Sequence, residues 1–120
     1  MSYCLQAQNS HATQLDINYR GFSVISDMFQ SLGTSDLFER ELVSAKMAKD
    51  WGEKLAFAVI NNVLKTYTVR DAVYGLSVKF AVAPPVGAIS TEGTPLSAED
   101  EKWVSDIATF LIFSEGFIIF

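Results

Sequence analysis

Cysteine and histidine are almost absent from this 120-residue chain, which holds one of each, Cys4 and His11. A single cysteine cannot form an internal disulfide. A zinc site needs three or four nitrogen, sulfur or oxygen ligands, and nucleophilic catalysis needs a base beside the nucleophile. Because His11 lies in a polar stretch that reads as an ordinary turn, we predict no catalytic residue and no metal site.

Glycine-rich phosphate-binding motifs are also missing. The seven glycines form neither GxGxxG nor a P-loop. The closely spaced carboxylates Glu99, Asp100 and Glu101 fit the first turn of a helix, where they complement the positive end of the helix dipole. The sequence therefore predicts a protein that is not an enzyme and that uses no cofactor.

Positive charge is scarce in the last third of the chain. Nine Lys and Arg against fourteen Asp and Glu give a net charge of −5, and residues 80–120 hold six acidic residues against Lys102 alone. Neutralising a phosphate backbone takes clustered basic side chains. The sequence thus argues against a nucleic-acid partner.

Long apolar runs are missing as well. The longest mostly apolar stretches, residues 55–60 and 107–113, are far shorter than the ~20 residues that span a bilayer. Residues 1–14 show neither the basic region nor the apolar stretch of a secretory leader. We therefore expect no membrane contact and, with a single cysteine, a cytoplasmic protein.

The chain is rich in apolar residues, at 49% of the total, including nine Phe, four Tyr and two Trp. A domain of this mass buries about two thirds of its surface on folding, which supports one core. We expect a single globular domain over residues 1–120. Residues 1–20 read as a β-hairpin or an arm, and residues 84–96, which carry all three prolines, read as a loop.

Helical signals dominate the rest of the chain. Apolar spacing over residues 22–32 predicts one helix. Thr34 and Ser35 predict the start of another, either one long bent helix or two helices that meet near Trp51. Ser97 followed by Asp100 predicts a third start. Residues 66–83 fit either a helix that begins at Thr68 or a strand over 76–83.

From these signals we predict a mainly α fold, a compact domain of four or five helices with a minor β element near the N-terminus, over residues 2–19, to which residues 76–83 would add if they form the strand. The alternative is an α+β fold with a small sheet. In that fold, the shared strands would be residues 2–8, 13–19, 76–83 and 117–120.

The aromatic surplus carries the functional prediction, because Trp, Tyr, Phe and Met are enriched in interface cores. We predict a non-catalytic protein–protein interaction protein, either a subunit of a larger assembly or an adaptor or inhibitor that docks on a larger complex. Its partner would be another protein or a second copy. The predicted interface residues are Trp51, Trp103, Phe110, Phe113, Phe117, Ile118, Ile119 and Phe120.

The alternative function is the binding of an apolar small molecule in a Phe-lined cavity between helices. Asn61, Asn62 or Tyr67 would then supply the polar contact that orients the ligand.

The terminal segment 117–120 has high β-propensity and, apart from the terminal carboxylate, no charge. Left exposed, such a segment would promote aggregation. We therefore predict that it is buried, either as an edge strand against the chain's own sheet or helices, or against a neighbouring subunit, with the second favoured.

Overall fold

The computed structural model describes residues 2–9, 14–32, 42–73 and 75–119. The elements in these ranges are β1 (Ser2–Ala7), β2 (Leu15–Asn18), α1 (Tyr19–Ser31), β3 (Leu42–Ser44), α2 (Ala45–Ile60), β4 (Lys65–Asp71), β5 (Gly75–Ala81), β6 (Thr94–Pro95), α3 (Ala98–Phe113) and β7 (Gly116–Ile119). This part of the chain is an α+β fold with three helices and seven strands in two antiparallel sheets. The prediction of a mainly α, helical fold with four or five helices is therefore wrong.

The error has a physical origin in residues 66–83, which form a β-hairpin. β4 and β5 pair along their whole length, from Lys65 opposite Ala81 to Asp71 opposite Gly75. Thr68 and its neighbour Val69 are β-branched, so their side chains are restricted in a helix but fit the pleated surface of a sheet. Pairing between strands outweighs the helix-capping signal at Thr68. The strand alternative over residues 76–83 agrees with β5, whereas no strand was predicted where β4 lies.

The predicted long helix also differs from the structure. The predicted start at Thr34 and Ser35 lies outside the described residues. Among the described ones, 42–44 form β3, and α2 begins at Ala45 with Ser44 as its N-cap, whose Oγ accepts a hydrogen bond from the Met47 amide at 3.3 Å. From there α2 runs through Trp51 without a break to Ile60.

Gly52 in α2 marks the close approach of α2 to α3. A Cβ at this position would lie 2.7 Å from Ile112 Cγ1 and 2.9 Å from the carbonyl oxygen of Ala108. Those distances leave no room for a side chain. The glycine that interrupts the helical pattern in the sequence therefore lets two helices pack closely.

The four-stranded sheet has the order β2-β1-β7-β3. β7 lies between β1 and β3, with Phe117 opposite both Ala7 and Val43. Phe117 is fully buried, and its ring centroid lies 5.7 Å from that of Phe110 in α3. The terminal segment is thus an interior strand of the chain's own sheet rather than an edge strand, while Ile118 stays exposed and Phe120 lies outside the described residues.

The three-stranded sheet has the order β5-β4-β6. The predicted loop over residues 84–96 follows the edge of β4 away from β5. The Arg70 amide donates to the Gly87 carbonyl at 3.1 Å, and the Ile89 amide donates to the Thr68 carbonyl at 3.0 Å. Farther along, β6 pairs with the start of β4. The loop therefore covers this edge of the sheet.

In the part of the chain that the structure describes, no helix is both long and apolar enough to cross a bilayer.

Candidate functional site

The first component of the candidate site is the exposed face of the β4–β5 hairpin. The register sets Val78 opposite Thr68 and Phe80 opposite Thr66. Alternation along a strand sends Leu76, Val78 and Phe80 to the same face. Phe80 is buried, but Val78 is 46% exposed and Leu76 is 55% exposed. The solvent exposure of this apolar row therefore increases toward the start of β5.

Helix α1 lies beside β5 and forms one wall of the site. It is in contact with the strand. Its Asp27 Oδ2 lies 3.1 Å from Lys79 Nζ, and both side chains are about one third exposed. Val24 of the same helix lines one concavity together with Phe80, whose side chain lies on the other face of the strand. Because α1 approaches both faces of β5, it lies along the edge that β4 leaves unpaired.

Helix α3 forms the opposite wall, and its N-terminus is fixed by the predicted cap. Ser97 Oγ accepts a hydrogen bond from the Asp100 amide at 3.1 Å, which confirms the helix start predicted there. One turn into the helix, the ring of Trp103 meets that of Phe80 edge-on, with centroids 6.0 Å apart. This contact joins α3 to the sheet.

Together these elements enclose a groove of about 540 Å³. Its floor consists of Thr68, Leu76, Val78 and Phe80, and it is also lined by Ser77, which alternation places on the opposite face of β5. Its walls consist of Gly21 and Val24 from α1, and of Asp100 and Trp103 from α3. Among these lining residues, Asp100 is the only acidic or basic one. The groove is therefore an apolar trough with one acidic residue on a wall.

Two other concave regions among the described residues are smaller. One of about 430 Å³ lies between the end of α1 and residues 79–86, and another of about 370 Å³ lies beside Phe57 on α2. Neither combines both an exposed sheet face and two helices. The groove is for this reason the candidate functional site.

The predicted interface residues are spread over the molecule. Trp51, Phe110 and Phe117 belong to the chain's own core, so this chain already covers their apolar surface. Ile119 is partly buried against that core. Phe113 and Ile118 are 62% and 41% exposed.

Only Trp103 of that predicted set lines the groove, and Phe120 lies outside the described residues. An interface role for the exposed members stays a prediction.

The polar residues predicted to orient a ligand are elsewhere. Asn61 is the C-cap of α2, where its Nδ2 donates to the Phe57 carbonyl at 2.8 Å. Asn62, which has a φ of 54°, lines a cavity of only about 30 Å³. Tyr67 is buried on the other face of the hairpin, against Gly93. None of the three lines the groove.

Among the described residues, no three His, Cys, Asp or Glu side chains are grouped as metal ligands would be. Partial burial raises the pKa of the Cys4 thiol, and the neighbouring Asp16 carboxylate raises it further. His11 lies outside the described residues.

Sequence reasoning missed most of the groove, including Leu76, Val78 and Asp100. The signal was the alternation over residues 76–82, which puts apolar side chains on one face of a strand. The sequence left this segment open between a helix and a strand, and the prediction did not consider which face of a strand would stay exposed. Once β5 is recognised as an edge strand, this apolar row becomes a candidate binding surface.

Comparisons with protein-family models, with curated proteins and with solved structures give no match. The candidate site therefore rests on the geometry and chemistry of this chain alone.

Proposed function

We propose that this protein is a non-catalytic protein-interaction domain, acting as a subunit, adaptor or inhibitor of a larger assembly, and that a segment of its partner docks in the groove. The observation that carries the proposal is the uncovered apolar row of Leu76 and Val78 between two helices. Exposed apolar patches with a polar rim are typical of protein interaction sites.

The energetics favour docking at this row. Complete burial of a Val or Leu side chain is worth roughly 1.5 to 3 kcal/mol relative to exposure. Leu76 and Val78 are each about half exposed, so a partner that covers both recovers a substantial part of that free energy. Trp103, which is only partly buried, adds the kind of aromatic anchor on which binding energy concentrates.

Binding of an apolar small molecule is the second candidate, and the volume of the groove supports it. About 540 Å³ falls within the range of ligand pockets. However, ligand pockets enclose most of their ligand, whereas Leu76 and Val78 on the floor of this groove are about half exposed to solvent. The open floor favours a protein segment.

Site-specific photocrosslinking in the native host tests the proposal. A photoreactive phenylalanine analogue replaces Val78 in one variant and Val86 in the other. Val86 is the matched control, since it is fully exposed and does not line the groove. We expect one protein to crosslink from position 78 and not from position 86.

The crosslinked protein is then purified and its affinity is measured by calorimetry. We expect Val78→Glu to weaken binding by about tenfold or more, which is about 1.4 kcal/mol or more, since it replaces a central apolar contact with an unpaired charge. Val86→Glu should bind like the wild type. Equal affinity of the two variants would contradict docking in the groove, and a crosslink only to a second copy of this chain would replace the partner with self-association.

A further inference from the structure

The walls and floor of the groove restrict the backbone of any segment that enters it. β4 is paired with β5 on one side and with β6 and the 84–96 loop on the other. The remaining edge of β5 lies beside α1. An extended segment in the groove would thus meet side chains rather than a strand edge, and its buried amides and carbonyls would lack ladder partners.

A helix satisfies its own backbone hydrogen bonds and meets no such difficulty. We therefore propose that the docking segment is an amphipathic helix that carries a basic residue opposite Asp100. This inference rests on the proposed function and specifies the class of its partner.

The volume of the groove is compatible with the side chains on one face of a helix. Its volume of about 540 Å³ is that of a small-ligand site, so it accepts the side chains of a helix and not the whole helix. Apolar side chains at positions i, i+3 or i+4, and i+7 form such a row. Gly21 presents no side chain on the α1 wall, which lets a helix approach there.

The negative charge on the α3 wall determines which charge the docking segment should carry. Asp100 lines the groove, and Glu99 and Glu101 are beside it in the same helical turn. The next cation in α3, Lys102, is engaged elsewhere, with its Nζ 2.9 Å from Asp106 Oδ2. A lysine or arginine of the docking segment is thus the complementary partner for Asp100.

Titration of the isotope-labelled protein with designed peptides tests both parts of the inference. The first probe is a Leu/Lys peptide of about 14 residues with helical periodicity, a length at which a helix is marginal alone and forms readily on a surface. The second has the same composition with a period of two, which favours a strand. The third is a Leu/Glu peptide of helical periodicity.

We expect the helical Leu/Lys peptide to shift the amide signals of Gly21, Thr68 and Val78 and the indole signal of Trp103, while the other two peptides bind more weakly. Asp100→Asn should weaken binding of the helical Leu/Lys peptide by about two- to fivefold, as for a partly exposed ion pair. Glu101→Gln is the matched control, since it removes the same charge from the same turn outside the groove, and should have little effect.

Each contrary result overturns a defined part. Equal groove shifts with the strand-period peptide would refute the helix and leave the proposed docking function standing. Equal binding of the Leu/Glu peptide, or equal effects of Asp100→Asn and Glu101→Gln, would refute the role of Asp100. No groove shifts with any of the peptides would refute the inference, while photocrosslinking from position 78 would decide the proposed function separately.

Discussion

Strands β7 and β5 have similar apolar sequences and opposite environments. β7, with the sequence GFII, lies inside the four-stranded sheet, and its Phe117 is fully buried against α3. β5, with the sequence GLSVKFA, is an edge strand of the three-stranded sheet, and its Val78 is nearly half exposed. Apolar alternation alone thus does not tell a core strand from a strand on an open surface.

The difference arises from what covers each sheet. The inner face of the four-stranded sheet belongs to the hydrophobic core together with residues of α2 and α3. On the three-stranded sheet, Tyr67 and Val69 are buried on one face. On the other face Phe80 belongs to the same core, while Leu76 and Val78 stay about half exposed beside α1 and the start of α3. We infer that the first region supplies most of the stability and that the second provides the docking surface.

The largest contrast is expected between Phe117→Ala and Val78→Ala. Truncating a buried Phe costs about 3 to 5 kcal/mol, a large part of the stability of a small domain. Truncating a half-exposed strand Val costs about 1 kcal/mol or less. Urea denaturation of both variants measures this contrast, with Phe117→Leu as a milder change if Phe117→Ala does not fold. Similar costs for Phe117→Ala and Val78→Ala would refute the division between the two sheets.

A smaller contrast is expected between two glycines with positive φ. Gly116, with a φ of 95°, precedes Phe117, and a Cβ there would lie 2.8 Å from the Val43 carbonyl oxygen. Gly75, with a φ of 79°, begins β5, and its Cβ would meet nothing within 4 Å. Either change to alanine costs about 1 to 2 kcal/mol for the left-handed backbone.

Gly116→Ala should cost a further amount of about 1 to 3 kcal/mol for the clash. Thermal denaturation of the two variants provides the comparison. If Gly75→Ala proves as destabilising as Gly116→Ala, then other residues pack against Gly75. That end of the hairpin would then not be open to solvent, contrary to the groove described above.

Local signals in the sequence predicted much of the secondary structure. The alternation of Leu15 and Ile17, the helical spacing before Leu32 and the cap at Ser97 all correspond to elements of the structure. These signals depend on residues a few positions apart. They report the local backbone preference directly.

The sheet topology could not be predicted in this way. β1 pairs with β7, so Leu5 lies opposite Ile119 at the other end of the chain. Nothing in either segment specifies the other beyond apolar alternation. The terminal segment was therefore recognised as one to be buried, while its interior position between β1 and β3 was not foreseen.

The candidate site was predicted least well, because apolarity was used to choose interface residues. That criterion selected core residues such as Trp51 and Phe110 together with exposed ones such as Phe113. It also passed over Val78, whose exposure depends on the absence of a covering element. Exposure is a tertiary property, and a single sequence does not contain it in readable form.

The smallest expected effect concerns Cys4, on the outer face of the four-stranded sheet. Cys4 lies opposite Asp16 on β2, and partial burial followed by the Asp16 carboxylate raises the pKa of its thiol. Since the thiolate is the reactive form, the pH profile of iodoacetamide alkylation should have its midpoint at higher pH in the folded protein than in urea. The folded state holds this proton more tightly, so the associated stability is present below the thiol pKa of the unfolded chain. It is lost as the pH rises through the folded value.

Asp16→Asn removes the neighbouring charge and should move the midpoint of Cys4 alkylation back toward lower pH. Asp106→Asn, in α3, is the control and should leave the midpoint unchanged. The midpoint is the appropriate measurement, since poor access slows alkylation at every pH, whereas a raised pKa displaces the profile along the pH axis. A midpoint unaffected by Asp16→Asn would mean that the two side chains do not interact. Cys4 and Asp16 would then be independent side chains.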